Sequence, residues 1–168
     1  MEELFNQCGW KITMEEAPLP DGRTKKMMRL TRCDSVHILA FPSPEKIFLL
    51  REFRPFYQDY IWMLPSGKVD KETDIQKAAQ RELQEETGFR ADSLKLYCST
   101  NSTESIRFTN HIFVGKNLQK DPLEQDHDEL IEVHEMSIDD AIEKVLGSPV
   151  VHTASAYALL RYARENAV

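Results

Sequence analysis

The stretch of sequence that decides the fold reads GKVDKETDIQKAAQRELQEETGF, from Gly67 to Phe89. Its middle has the periodicity of an amphipathic α-helix, which we predict over residues 73–87. Ile75, Ala79 and Leu83 follow one another at four-residue spacing and so form a single apolar stripe. This stripe predicts that one face of the helix packs on a hydrophobic core.

Capping signals stand at both ends of this helix. Thr73 and, three residues later, Gln76 predict a capping box at the start, and Asp74 suits the positive end of the helix dipole in the first turn. Gly88 predicts the end, because glycine readily adopts the left-handed conformation that follows a last helical turn. The predicted helix therefore has defined boundaries.

Three glutamates share one face near the end of the helix. Glu82 lies three residues before Glu85 and four before Glu86, so their carboxylates are neighbours. Like charges at this spacing destabilise a helix, and anions are unfavourable at its negative end. A bound cation would relieve both costs, and carboxylate oxygens suit Mg²⁺ or Mn²⁺. The alternative for an isolated cluster of this kind is a solvated acidic face.

The same segment resembles the Nudix box, G-x5-E-x7-R-E-U-x-E-E-x-G-U, where U is an aliphatic or bulky apolar residue. Eight of its nine specified positions match at the right spacing. The matching residues are Gly67, Arg81, Glu82, Leu83, Glu85, Glu86, Gly88 and Phe89. The mismatch is Thr73, which stands where the box has Glu. Glu72 directly precedes it, and we expect Glu72 to reach Arg81 instead.

The resemblance to Nudix hydrolases implies a mechanism and a metal site. A metal-activated water attacks one phosphorus of a pyrophosphate, with Mg²⁺, or alternatively Mn²⁺, as the cofactor. The implied metal ligands are Glu82, Glu86, Glu85 and the backbone of Ser66. The implied catalytic residues are Glu85, Glu129 and Arg81.

An acidic loop near residues 124–129 is where the resemblance places the catalytic base. The candidates are Glu124, Asp126, Asp128 and Glu129, and we favour Glu129 because it directly precedes a predicted strand. The alternative is that the whole acidic loop is only solvated. His127 in the same loop either carries a proton or is an exposed histidine without a role.

Motifs outside the box resemble the branch of this family that hydrolyses ADP-ribose and nucleoside diphosphate sugars. They are Trp10, Leu19-Pro20-Asp21-Gly22, Leu50-Arg51-Glu52-Phe53-Arg54, Trp62-Met63-Leu64-Pro65-Ser66-Gly67 and Asp128-Glu129-Leu130-Ile131-Glu132-Val133. The branch releases a nucleoside monophosphate and a sugar phosphate. The resemblance therefore implies the same reaction for this chain.

The branch also implies a homodimer whose N-terminal strands, within residues 1–35, exchange between subunits near the substrate. Arg51 and Arg54 would contact the diphosphate or the terminal sugar, and the alternative for both is a surface salt bridge. Trp10 would stack on the base, and its alternative is to anchor the hairpin in the core. These three residues are the predicted substrate contacts.

The base and sugar of the substrate stay open at this stage. Thr103 and Phe108 stand where ADP-ribose-specific members tend to have Pro and Glu, so GDP-mannose is an alternative to ADP-ribose. Two other functions are also alternatives. One is a house-cleaning nucleoside triphosphate pyrophosphatase, which usually lacks the long N-terminal hairpin. The other is a non-catalytic Nudix-fold nucleotide sensor, which only Thr73 favours.

The remaining periodicities predict strands and helices without regular alternation, and hence an α+β fold with a mixed sheet. The predicted strands are 10–16, 24–31, 36–41, 46–51, 60–64, 93–99, 106–114 and 130–136, and the further helices are 138–146, capped by Ser137, and 153–165. The resemblance specifies a Nudix fold, with the mixed β-sheet packed between helices as an α/β/α sandwich and an N-terminal β-hairpin extension. We expect residues 1–168 to form a single domain.

Composition excludes several classes of function. The net charge of −7 argues against a binder of long nucleic acid. No apolar run is long enough to span a bilayer, and the N-terminus lacks a signal peptide pattern, so we expect a cytoplasmic protein without a membrane partner. Cys8, Cys33 and Cys98 are widely spaced and predict reduced thiols. The expected partner is a small nucleoside diphosphate derivative.

Overall fold

A computed structural model of the protein describes residues 1–101, 103–125 and 129–166. The strands are β1 (Glu2–Gln7), β2 (Trp10–Pro18), β3 (Thr24–Thr31), β4 (Ser35–Ala40), β5 (Ile47–Arg54), β6 (Asp59–Met63), β7 (Ser66–Lys68), β8 (Phe89–Asn101), β9 (Ile106–Arg107), β10 (Thr109–Lys120) and β11 (Ile131–Met136). The helices are α1 (Ile75–Thr87), α2 (Ile138–Leu146) and α3 (Thr153–Asn166).

Within the described residues the strands form three sheets. The first has the order β1-β2-β3-β9, and the third has the order β11-β5-β6. The second has the order β7-β4-β10-β8, in which β10 runs parallel to β4 and antiparallel to β8. The predicted mixed sheet is therefore confirmed.

Strand β4 lies at the centre of the sandwich and is buried along its whole length. Val36, Ile38 and Ala40 pack in the core cluster that contains the buried face of α1. Leu39 and the following Phe41 pack in the cluster that contains α2 and α3. Because successive strand residues point to opposite faces, β4 separates the two cores. This arrangement confirms the predicted α/β/α sandwich.

The N-terminal hairpin is also confirmed. Strands β2 and β3 pair antiparallel from Lys11 with Thr31 to Pro18 with Thr24. The turn closes with a hydrogen bond of 3.0 Å from Gly22 N–H to the Leu19 carbonyl. Strand β1, which the sequence pattern did not predict, extends this sheet by pairing with β2.

Helix α1 begins at Ile75, and its N-cap is Asp74. The Asp74 carboxylate accepts hydrogen bonds from the backbone N–H groups of Gln76 and Lys77, at 2.9 and 3.3 Å. The prediction that Thr73 caps this helix is therefore wrong. Asp74 takes the role because its carboxylate is one residue closer to the free N–H groups, and a carboxylate is also favoured by the helix dipole.

The other predicted helix boundaries are confirmed. Gly88 ends α1 in the left-handed conformation, with φ of 79°, and its N–H reaches the Gln84 carbonyl at 3.0 Å. Ser137 caps α2, and its hydroxyl accepts from Asp140 N–H at 3.1 Å.

Across the part of the chain that is described, none of the helices has the length and apolar character needed to span a membrane.

The predicted strand 106–114 is wrong as a single element. Strand β9 pairs with β3 in the first sheet, whereas β10 pairs with β4 in the second. Phe108 lies between them, and Thr109 N–H is fixed by a 2.7 Å hydrogen bond to the Asp34 carboxylate. The chain thus changes sheets at Phe108, and periodicity within a segment does not reveal such a change of partner.

Replacing Asp74 by Ala tests the observed cap of α1. We expect Asp74→Ala to lower the free energy of unfolding by about 1 kcal/mol, because two N–H groups lose their acceptor. Thr73→Ala is the matched control and is expected to change it by less than about 0.5 kcal/mol. Urea denaturation measures both, and an equal loss from Thr73→Ala would contradict the assignment.

Candidate active site

One cleft of about 780 Å³ gathers most of the predicted site residues. It lies between the C-terminal half of α1, strand β7, strands β4 and β5, and the segment that leads into α3. The predicted residues that line it are Trp10, Arg54, Ser66, Arg81, Glu82, Glu86 and Glu129. Arg51 and Glu85 are not among the residues that line it.

Gly67 allows α1 to approach β7 at the centre of the cleft. A Cβ atom at position 67 would lie 1.9 Å from Glu82 Cδ and 2.1 Å from Glu82 Oε1. The Glu82 carboxylate therefore occupies the space that any other residue at position 67 would fill. This contact is the physical reason for glycine at the start of the segment.

Glu86 is buried one helical turn beyond Glu82, with only 6% of its surface exposed. Its carboxylate accepts a 2.7 Å hydrogen bond from Ser66 N–H. The two glutamates of α1 are thereby held against consecutive backbone positions of β7. Ser66 itself pairs with His37 of β4, which ties this wall of the cleft to the central strand.

Burial makes the charged forms of both carboxylates unfavourable. Burial, with an added contribution from Glu85 and in spite of the opposing charge of Arg81, raises the pKa of Glu82 to about 7. Burial and the charge of Glu82 raise the pKa of Glu86 well above its ordinary value. Glu129 raises the pKa of both. A cation bound between these carboxylates would restore their ionised forms.

The oxygen donors of the cleft fit a hard divalent ion. Glu82 and Glu86 offer carboxylates beside the backbone of Ser66, and Glu129 lines the same cleft. Among the described residues, no group of three or more His, Cys, Asp and Glu side chains is arranged to enclose a metal ion. Mg²⁺ commonly binds through one or two carboxylates and keeps several waters, so this donor set suits it.

Arg81 organises the charges beside the two buried glutamates. Its Nε donates to Glu72 at 2.8 Å, its Nη1 to Glu85 at 2.6 Å, and its Nη2 lies 3.0 Å from Glu82. Although partial burial opposes it, hydrogen bonding to Glu72 and the charge of Glu82 raise the pKa of Arg81. The prediction that Glu72 reaches Arg81 is confirmed, so Thr73 leaves this arginine supported.

Glu85 is not among the residues that line the cleft. Besides its 2.6 Å contact with Arg81, it lies 3.9 Å from the Lys71 ammonium. The structure thus places Glu85 behind Arg81 rather than beside Glu86, although both belong to the same helical turn. Its role as a metal ligand and catalytic residue stays a prediction.

Strand β5 contributes a pair that the sequence reasoning missed. Glu52 is buried, with 5% of its surface exposed, and lies 2.9 Å from Arg54, while burial raises the pKa of Glu52. Arg51 points to the opposite face, pairs with Glu132 at 2.9 Å and lies 3.8 Å above the Tyr60 ring. The alternation of side chains along a strand could have predicted the role of Glu52, because it places residues 52 and 54 on one face of β5 and residue 51 on the other.

An aromatic and cationic group stands at the mouth of the cleft. Arg32 lies 3.7 Å above the Phe108 ring and 5.9 Å from the Trp10 ring. Trp10 is 42% exposed, so it is not a core anchor of the hairpin. Trp10 lines the cleft, and its predicted stacking on a base stays a prediction.

The predicted base candidates differ in position. Glu129 lines the cleft, whereas Glu124 is exposed and is not among the lining residues. Asp126 and Asp128, like His127, lie outside the described residues. Among the candidates that are described, the structure therefore brings only Glu129 to the glutamates of α1.

The cleft thus places the carboxylates of Glu82 and Glu86 where a helix meets a glycine in a sheet. A family model of the NUDIX domain matches residues 31–154, so the chain belongs to the Nudix family and is a Nudix hydrolase. Hydrolases of this family generally use divalent metal ions.

Named relatives and a solved structure agree with this family. The chain is 30% identical over 164 residues to the ADP-ribose pyrophosphatase of Bacillus subtilis (strain 168), covering 94% of this chain and 87% of that relative. It is 26% identical over 147 residues to the methanol dehydrogenase activator of Bacillus methanolicus, covering 86% and 80%. A crystal structure of an ADP compounds hydrolase superposes with a TM-score of 0.81 at 20% identity, over 99% of this chain and 92% of that one. The last comparison confirms the fold.

The raised pKa of Glu82 predicts how stability depends on pH in the metal-free protein. Between pH 4.5 and about 7, Glu82 holds a proton in the folded state that it releases in the unfolded chain. The stability that this difference contributes is therefore fully present below pH 4.5 and is lost as the pH rises through about 7. We expect the free energy of unfolding, measured in chelator, to fall across that interval. Glu82→Gln should flatten the profile, and an unchanged slope would contradict this origin.

Proposed function

We propose that this Nudix hydrolase is a Mg²⁺-dependent pyrophosphohydrolase that cleaves ADP-ribose or a related nucleoside diphosphate sugar. The products are a nucleoside monophosphate and a sugar phosphate. The observation that carries the proposal is the packing of the partly buried Glu82 and the buried Glu86 against Gly67 and Ser66, in a cleft large enough for a nucleotide. A cation bound between carboxylates with raised pKa values would favour their ionised forms, and a diphosphate is a ligand that such a cation attracts.

Glu82, Glu86 and the backbone of Ser66 would hold the ion. When bound, the ion would lower the pKa of a coordinated water and offset charge on the phosphate oxygens. Arg81 holds Glu82 in place through a 3.0 Å contact and so acts as a positioning residue. Glu85 stabilises Arg81 in turn, which gives Glu85 an indirect role beside the proposed ligand role.

Glu129 is the proposed general base. It lines the cleft and interacts electrostatically with Glu52, Glu82 and Glu86. Its position near the metal ligands is what supports this role over that of Glu124.

The similarity to the Bacillus subtilis ADP-ribose pyrophosphatase supports a sugar-linked nucleoside diphosphate over a nucleoside triphosphate. Trp10 and Arg32 at the mouth would receive the base, and Arg54 in the cleft would face the diphosphate or terminal sugar. Arg54 already pairs with Glu52, so its charge is partly balanced before substrate binds. Arg51 is directed elsewhere in this subunit, which favours its salt-bridge alternative.

The sensor alternative depended on Thr73, because Nudix-fold sensors lose charges of the box. The Glu72 carboxylate meets Arg81 at 2.8 Å, so the charge that is missing from position 73 is supplied by its neighbour. Glu82 and Glu86 remain in place at the cleft. These contacts favour an active hydrolase.

We further propose a homodimer formed through the N-terminal sheet. Leu4, Phe5, Trp10 and Met28 on this sheet are all between 42% and 58% exposed. Several large apolar side chains on one small sheet are costly in water, and burial against a second copy would remove that cost. Such a dimer would also place the exposed Trp10 close to the partner.

Replacing Glu86 by Gln tests the proposed hydrolase. The purified protein is incubated with Mg²⁺ and ADP-ribose, GDP-mannose, UDP-glucose or dNTPs, and products are separated by chromatography. We expect a nucleoside monophosphate from a sugar-linked substrate and a loss of at least about 100-fold in kcat for Glu86→Gln, because a metal ligand is lost. Glu143→Gln on the exposed face of α2 is the control. Retained turnover in Glu86→Gln would refute the assignment.

Sedimentation tests the proposed dimer. We expect the wild-type protein to sediment as a dimer at micromolar concentration, and Met28→Glu to shift it towards the monomer because a charge would enter the apolar interface. Glu135→Lys, on β11, is the control. A wild-type monomer would contradict both the interface and the placement of Trp10 near a partner.

A further inference from the structure

Two histidines in the wall of the cleft take no part in the chemistry proposed above. His37 lies on β4, and His152 directly precedes α3. Both line the cleft, and their ring centroids are 5.4 Å apart. His37 pairs across the ladder with Ser66, so the two rings lie next to the proposed metal site.

The hydrogen bonds of His37 fix its tautomer. Its Nε2 lies 3.0 Å from Asn110 Oδ1, and because an amide oxygen only accepts, Nε2 carries the proton. Its Nδ1 is then an acceptor, and this buried atom has no hydrogen-bond partner among the described residues. His37 itself is only 3% exposed. An acceptor held in this state is costly unless a ligand or a water supplies a donor.

The hydrogen bonds of His152 indicate that its free ring nitrogen is a donor, which complements the acceptor nitrogen of His37. Ser155 is fully buried, and its hydroxyl oxygen accepts from Leu64 N–H at 2.9 Å. The same oxygen lies 2.7 Å from His152 Nδ1. If the hydroxyl donates to Nδ1, its proton is satisfied and His152 carries its own proton on Nε2. His152 Nε2 is then an N–H donor, in a ring that lines the cleft and neighbours the ring of His37.

From this pairing we propose that His37 and His152 bind a sugar hydroxyl of the substrate next to its pyrophosphate. A hydroxyl accepts from one group while it donates to another, so it matches a neighbouring N–H donor and ring-nitrogen acceptor. It would also give His37 Nδ1 the partner that it lacks. This inference rests on the proposed function, since it names the part of a nucleoside diphosphate sugar that the cleft distinguishes.

The unpartnered acceptor of His37 favours a hydroxyl over a phosphate as the ligand. Phosphate oxygens only accept hydrogen bonds, whereas His37 Nδ1 needs a donor. The phosphates have the proposed cation and the arginines, whereas a hydroxyl has these two nitrogens.

Three substrates locate the hydroxyl. ADP-ribose carries hydroxyls on both sugars, the propyl ester of ADP lacks the terminal sugar, and an ADP-ribose whose adenosine is 2′,3′-dideoxy lacks those on the nucleoside. We expect the wild-type kcat/KM to fall about 10-fold or more for the analogue without the recognised hydroxyl. The analogue that loses activity identifies which sugar the histidines contact.

Variants of the two histidines then assign the contact. Asn at position 152 keeps a polar group near Nδ1 and Ser155 but removes Nε2, whereas Gln keeps a donor near Nε2. We expect His152→Asn to lower kcat/KM for ADP-ribose about 10-fold but to have less than about 3-fold effect on the analogue that lacks the hydroxyl. His152→Gln should retain most of the preference. His37→Gln, which keeps the contact with Asn110 and loses Nδ1, should behave like His152→Asn.

Equal losses on ADP-ribose and on both analogues would show that the histidines only support the fold, and would overturn the inference. So would a wild-type enzyme that does not distinguish the three substrates. Calorimetric titration of the same three compounds in chelator separates this inference from the proposed function. Preferential binding of ADP-ribose in chelator, together with no turnover when Mg²⁺ is supplied, would refute the hydrolase and support the hydroxyl contact. Turnover with Mg²⁺ but without preference among the three compounds would do the reverse.

Discussion

The close approach of α1 to β7 at Gly67 is the contact on which the rest of the site depends. A side chain at this position would displace the Glu82 carboxylate from the space that it occupies. The buried Ala79 and Leu83 fix the rotation of α1, so Glu82 and Glu86 face the cleft while Arg81 faces its supporting acids. Arg81 offsets part of the like charges gathered by this approach, and a bound cation would complete the balance.

Much of this fold was predictable because local signals and the tertiary structure agree. Helix α1 and its end at Gly88, the N-terminal hairpin and the cap of α2 at Ser137 all follow from patterns within a few residues of each other. The pairing of Arg81 with Glu72 was predictable for the same reason, since nine residues separate them on one helix and its lead-in. The glutamates of the site were found because the segment that carries them resembles the Nudix box, whereas their spacing alone left a solvated acidic face as the alternative.

The features that could not be predicted depend on partners distant in the chain. The change of sheets at Phe108 is set by β3 and β4, more than 60 residues away. His37 and His152 look like ordinary residues of a strand and a loop until the fold brings their rings together. Arg51 is a different case. The alternation of side chains along its strand already indicated that Arg51 and Arg54 face opposite sides. The family resemblance nevertheless led us to predict that both contact the substrate.

Two structural roles fall within the three consecutive residues Glu72, Thr73 and Asp74. One is to hold Arg81, and the other is to cap the start of α1. Thr73 performs neither, because Asp74 accepts from the first N–H groups and Glu72 meets Arg81. A lineage that acquires both neighbours can therefore change the middle residue without passing through an inactive ancestor. The motif in this sense constrains the position of a carboxylate beside the arginine, whichever residue supplies it. A substitution at one position of the motif therefore need not mean that the activity is lost.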